Sequence, residues 1–373
     1  MLLTEKLYSC KDKLLDCCNV FGEMIPISLN DRVEWVDTAK GIGIILVVLG
    51  HIWLMREGYN YIYSFHMPLF FFLSGYIVNF AKYDGLRQFI VVKLNGLVIP
   101  YFWFSFFTYL YWVLVERKFS GNEVSPAAAF INIFISPGAD QYLPHNPALW
   151  FLTCLFIVAI AFYGMASKLK LPHIGILLLL SSAAGYAATL YLPSSFPWSI
   201  DVAPTAIVFY GMGFIIKKMK VTFIKSSRRR LWVLCCCVPA GFIISQLNGS
   251  VVMADNVYGN YLYFYLGASL GITNVVIIAM LFRKNRALSY LGQNSLIILA
   301  LHFPIKRAVA SLTSKVLDMP LVQMKESFLI SGIDTVITIL FLLPFIYLIR
   351  RQLSFMLGRR PARNRIVEGA GLS

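Results

Sequence analysis

Ten stretches of 17 to 25 residues between Val36 and Ile349 are almost free of charge, and their length decides what the chain can become. A helix rises about 1.5 Å per residue, so about 20 apolar residues cross the hydrocarbon core of a bilayer. The stretches cover residues 36–55, 61–80, 94–115, 148–167, 173–192, 199–216, 231–247, 258–282, 287–305 and 327–349. In lipid every backbone amide must be satisfied within the protein, and single runs of this length achieve that as α-helices. Composition agrees: 58% of residues are hydrophobic, only 14% are charged, and the mean hydropathy is +0.69. The sequence predicts an all-α integral membrane protein, a multi-pass bundle of about ten transmembrane helices embedded in the lipid bilayer.

Basic residues outside these runs alternate with the loops. The stretch before the first run, the loops after runs 2, 4, 6 and 8, and the segment from Arg350 onward hold 24 of the 33 Lys and Arg residues, whereas the other loops hold seven; Lys40 and Lys93, inside or at the edge of helices, are the remaining two. Positively charged loops stay in the cytoplasm, so both termini are expected there. The same distribution accounts for the net charge of +15 without nucleic acid as a partner, since no basic helix with interleaved aromatics occurs. The chain reads as a cytoplasmic N-terminal segment (1–33), a transmembrane unit (34–350) and a basic cytoplasmic tail (351–373). Residues 1–33 lack the pattern of a signal peptide. Cys10, Cys17 and Cys18 precede the first run, while Cys154 and Cys235 to Cys237 fall within runs, where buried inert thiols are expected. Nothing in the sequence sets an oligomeric state.

The first run carries two titratable groups at its ends, Lys40 and His51, in AKGIGIILVVLGH. Eleven helical steps of about 100° return to within about 20° of the starting direction, so both side chains share one face about 16 Å apart along the axis. Asp37, one turn before Lys40, can pair with its ammonium. Gly41, Gly43 and Gly50 lower the bulk of the same helix, which lets a neighbour come close. An ionisable group inside a membrane span is costly and therefore a candidate for function. His66, His145 and His302 fall towards the same outer side as His51 in this topology, as do Asp201 and Asp255, with His302 placed at the outer end of run 9. No HExxH or comparable metal spacing, dinucleotide fingerprint or GxSxG elbow is present, so no metal is expected.

Lys40, ten residues and His51 resemble the Arg/Lys-x10-His signature of the membrane acyltransferase-3 family. SFHMPLFFFLSGYIVNF (64–80), KLNGLVIPYF (93–102), PALWFLTCLF (147–156), FYGMGFIIKK (209–218) and LGQNSLIILALHFPI (291–305) resemble its further motifs in order, and two of them look most like the fucose 4-O-acetylase-like branch. One departure stands out. Where the family commonly has two basic residues three apart at the start of span 3, this chain has Lys93 and Gly96.

The resemblance implies an O-acetyltransferase of the bacterial inner (cytoplasmic) membrane, with acetyl-CoA as acyl donor and a carbohydrate acceptor: a hydroxyl of a cell-envelope sugar or polysaccharide such as O-antigen, capsule or exopolysaccharide. His51 would then be the general base or an acyl-carrying nucleophile, with Asp37 fixing Lys40, and Lys40 and Lys93 holding the donor. His66, Ser74, Trp150, Asn294 and His302 would bind substrate or support the site. Trp198 is a second candidate for stacking on a sugar. A polytopic transporter or flippase of a glycolipid or small anion is the alternative, with intramembrane charges lining a path.

Overall fold

A computed structural model describes residues 33–52, 55–120, 124–136, 143–192, 196–220 and 226–358, and among these it contains helices, turns and one isolated bridge between Val252 and Val257 but no strand. The helices are α1 (Glu34–Ile52), α2 (Arg56–Ile77), α3 (Leu86–Phe119), α4 (Pro126–Ile135), α5 (Trp150–Ala166), α6 (Leu171–Tyr191), α7 (Ala203–Lys218), α8 (Ser227–Asn248), α9 (Tyr261–Leu281), α10 (Arg286–Gln293), α11 (Ser295–Leu317) and α12 (Phe328–Arg351). Local chemistry sets several starts. Asn260, Asn285 and Ser327 accept from backbone amides in the first turns of α9, α10 and α12, and satisfy donors that a helix leaves open at its N-terminus.

Nine helices among the described residues are long and apolar enough to cross a membrane. The tenth run is α2, of spanning length with 22 residues, 14 of them buried. Its Arg56, Glu57, Asn60 and His66 reduce its hydropathy, and burial against protein removes the need for a lipid-compatible surface. The nine candidate spans, together with α2 of similar length, agree with the expected multi-pass bundle. At the other extreme, α8 buries only Gly241 and Ser245 and lies at the rim. Cys235 and Cys236 are exposed on it, contrary to the expected burial, whereas Cys154 is buried. Residues 1–32 and 359–373, and with them most of the two terminal segments anticipated from sequence, lie outside the described residues.

Run 9 is corrected. It was expected to end near residue 305, but the crossing helix is α11, which continues to Leu317, and residues 286–293 form the separate α10. Lys306 and Arg307 fall just past the expected end at residue 305, yet both lie inside the helix. Lys306 donates to the His51 carbonyl at 2.8 Å, and Arg307 pairs with Glu116 of α3, so the bundle supplies partners for both cations. His302 therefore sits 15 residues, about 22 Å of helix, before the end of α11 rather than at its outer end.

Two backbone-to-backbone approaches fix the inner helices. A Cβ on Gly75 of α2 would lie 2.6 Å from the carbonyl carbon of Tyr210 in α7, and one on Gly213 of α7 would lie 2.8 Å from the amide nitrogen of Tyr76. This gives Gly75 of LSGY and Gly213 of FYGMG one shared purpose, the close seating of α2 on α7, while Gly211 faces Leu178 of α6. Likewise a Cβ on Gly292 of α10 would meet Asp37 and Gly41 of α1, the latter amide nitrogen at 2.8 Å, and one on Gly41 would meet Leu288. The neighbour that the α1 glycines admit at this end is α10.

Candidate active site

The seating of α2 beside α1 brings Tyr63 and His66 to the end of α1 that carries His51. His51 Nδ1 and the Tyr63 hydroxyl are 3.0 Å apart, and either can be the donor. Gly50 makes the approach possible, since a Cβ there would be 3.1 Å from Tyr63 and from Ile62. The His66 ring packs edge-on against Tyr63 at 4.6 Å, and its Nδ1 is 2.9 Å from the Ile62 carbonyl. An acceptor carbonyl requires a donor, so the His66 proton resides on Nδ1.

From the other side α11 contributes His302 and Phe303. The His302 ring centre is 5.2 Å from that of His51, and Phe303 lies 4.8 Å from each. Nδ1 of His302 donates to the carbonyls of Leu299 at 2.8 Å and Ile298 at 3.2 Å. One turn on, the Lys306 ammonium lies 4.1 Å over the Phe303 ring while it holds the His51 carbonyl. That carbonyl belongs to the last turn of α1, where a cation also complements the helix dipole. Three of the five histidines thus converge from α1, α2 and α11. No group of three or more His, Cys, Asp or Glu side chains among the described residues is placed to hold a metal ion.

Lys40 marks the opposite end of the same helix. Lys93 of α3 lies close enough for its charge to act on that of Lys40, and its ammonium sits 5.3 Å over the Phe89 ring. Asp37 accepts from Gln293 of α10 at 3.2 Å. Lys40 and Lys93 thus share the lysine-rich end of the bundle, and the imidazoles lie about 16 Å further along α1.

Other expected residues are placed elsewhere. His145 is buried in the segment before α5, facing Tyr109 at 5.9 Å; burial and the charge of Arg307 push its imidazole down to about 3. Ser74 follows His66 by eight residues, about 12 Å along α2, and so is outside the histidine cluster. Asn294 donates to the Tyr290 carbonyl at 2.7 Å and accepts from Arg350 at 3.3 Å, tying the α10–α11 break to α12. Trp150 is buried at the start of α5 and packs edge-on against Phe151 at 6.3 Å. The Trp198 indole donates to the Phe134 carbonyl at 3.0 Å. Asp201 is buried beside Cys154, a different group from the histidines. Sequence reasoning missed Tyr63, Phe303 and Lys306. For Lys306 a signal was present, because it follows His302 by four residues and shares its helix face.

No curated protein and no solved structure matches the chain at a significant level. The profile of the acyltransferase domain of the acyltransferase-3 family (Acyl_transf_3) matches residues 33–351, from the start of α1 to the end of α12. With Lys40 and His51 on the first helix of a multi-pass helical bundle, the chain belongs to this family of membrane acyltransferases.

Proposed function

We propose that the protein moves an acetyl group from cytosolic acetyl-CoA to a hydroxyl of a cell-envelope sugar or polysaccharide, at the inner membrane of a bacterium. One observation carries this reading: a single helix holds Lys40, near the Lys93 charge at the lysine-rich end, and an imidazole within a histidine cluster about 16 Å deeper. Two like charges at one end suit a polyanion, and Lys40 and Lys93 fit the phosphates of such a donor. Its thioester then extends along α1 towards His51.

In the transfer step the acceptor oxygen forms a bond to the thioester carbonyl carbon, the C–S bond breaks and the thiolate departs. His51 takes the hydroxyl proton as that bond forms. The tautomer suited to this donates from Nδ1 to the Tyr63 oxygen and leaves the Nε2 lone pair for the proton. A relay in which Nε2 first accepts the acyl group uses the same atom and the same Tyr63 contact. The transporter reading leaves the oriented imidazole without a task.

Inverted membrane vesicles given radiolabelled acetyl-CoA and the host's own glycan test the proposal. Label is expected in the glycan with the wild type and not with His51→Ala; equal labelling by both would remove His51 from the chemistry. A labelled protein intermediate lost in His51→Ala would select the relay.

A further inference from the structure

His302 is fully buried, and its Nε2 has no hydrogen-bond partner. Its Nδ1 proton is committed to the carbonyls of Leu299 and Ile298, so Nε2 is left as a lone pair, able to accept and not to donate. A buried acceptor with no donor is costly, and proteins keep such an atom where something else supplies the donor. The neighbours do not. The Lys306 ammonium reaches the His51 carbonyl, Phe303 carries no polar atom and the Tyr63 hydroxyl faces His51, and none of them lies within hydrogen-bond distance of this nitrogen. The open nitrogen belongs to a ring 5.2 Å from that of His51.

We propose that His302 Nε2 receives a second hydroxyl of the acceptor, next to the one that His51 deprotonates, so the acceptor class is a sugar with two adjacent free hydroxyls. This rests on the acyl-transfer reading. Two imidazoles side by side match two oxygens on neighbouring ring carbons: one takes the proton of the reacting oxygen, and the other fixes the ring by its neighbour. His302 would therefore set which hydroxyl reacts, and no bond to it forms or breaks.

The test compares His302→Gln and His302→Leu in the full-length protein reconstituted in lipid, with labelled acetyl-CoA and the host glycan as probes. Glutamine can place an oxygen near the Nε2 position, whereas leucine cannot. A site built to hydrogen-bond a hydroxyl loses about a hundredfold or more when the contact is removed. The leucine variant is expected to show that loss as a rise in the KM for glycan at unchanged KM for acetyl-CoA, with the glutamine variant within about tenfold of wild type. Should the leucine variant fail to assemble, His302→Asn replaces it, since its amide can still donate towards Leu299 but ends short of Nε2. Equal losses in both variants, no loss in either, or a matching rise in the donor KM would overturn the proposal. So would an O-acetylated product whose acetylated carbon has no neighbouring carbon bearing a free hydroxyl. Full transfer by His51→Ala, or none by the wild type, would instead strike down the acyl-transfer reading, and this proposal with it.

Discussion

Replacing Gly75 by alanine is the sharpest test of how the site is built, because it touches no candidate catalytic residue. The new Cβ would lie 2.6 Å from the Tyr210 carbonyl carbon, where ordinary contact begins at 3.4 Å. The obstacle is backbone, which has no rotamer to yield, and the Tyr210 carbonyl oxygen lies closer still, so α2 and α7 must part by at least about 1 Å. A gap of about 0.5–1 Å forfeits a quarter to a half of the dispersion energy of each contact across it. The expected cost is at the upper end of the usual range for overpacking, about 3 kcal/mol. At about 2 °C per kcal/mol for a chain of this size, the midpoint of thermal unfolding in detergent should fall by about 6 °C. Gly332→Ala in α12 is the matched control, since a Cβ there meets nothing within 4 Å. It removes backbone freedom from a helix interior and should stabilise slightly, by about 0.5–1 kcal/mol. Fluorescence-detected size-exclusion after heating reads both. Equal shifts in the two variants would refute the packing argument, as would an unchanged midpoint for Gly75→Ala.

Four further outcomes follow from the site. Tyr63→Phe removes the hydroxyl that orients His51 at 3.0 Å, and kcat for labelled transfer should fall by about 10- to 100-fold with the fold intact; an unchanged kcat would show that Tyr63 does not set the tautomer. Lys40→Met and Lys93→Met should each raise the KM for acetyl-CoA by about tenfold, the loss of one charge-assisted contact, and leave the KM for glycan alone; a shift in the glycan KM would place the donor elsewhere. Lys306→Met removes the hold on the α1 carbonyl and should lower activity at saturating substrates, read in the same assay, whereas unchanged activity would make that contact dispensable. His145 contributes to pH dependence: its pKa is lowered to about 3 in the folded protein, against about 6.5 when unfolded. The unfolded chain therefore binds the extra proton between those values, so this stability is complete above about pH 6.5 and falls by about 1.4 kcal/mol per unit as the pH drops towards 3. His145→Asn should flatten the acid limb of a thermal-stability profile, and an unaltered limb would refute the assignment.

Much of the bundle was legible because lipid enforces it. Length and apolarity alone located most of the spanning helices, run 9 apart, and the 11-residue spacing put Lys40 and His51 on one helix face whatever surrounds them. Their surroundings were not legible. His302 meets His51 across 251 residues of chain, and only the packing of α11 on α1 decides that. The sequence also misled at Lys306 and Arg307, since two cations resemble a helix end until Glu116 and the His51 carbonyl are seen to receive the charges. Tyr63 escaped notice for the opposite reason: among 20 tyrosines, nothing local distinguishes the one whose hydroxyl meets an imidazole. Asn294 and Gly292 stood out in a motif, and their work proved to be joining helices at a break and a close approach.

The first helix is gripped twice by one continuous segment. Near its start, Gly292 and Gln293 of α10 touch Asp37 and Gly41; near its finish, Lys306 of α11 reaches the His51 carbonyl. Residues 292–306 thus act as a gauge against which the span from Lys40 to His51 is measured. Inserting or deleting a single residue within that gauge turns everything beyond it by about 100°, which swings Lys306 and His302 off the face they share with His51. Length changes that other connections absorb should be lethal to catalysis here even where every side chain is retained.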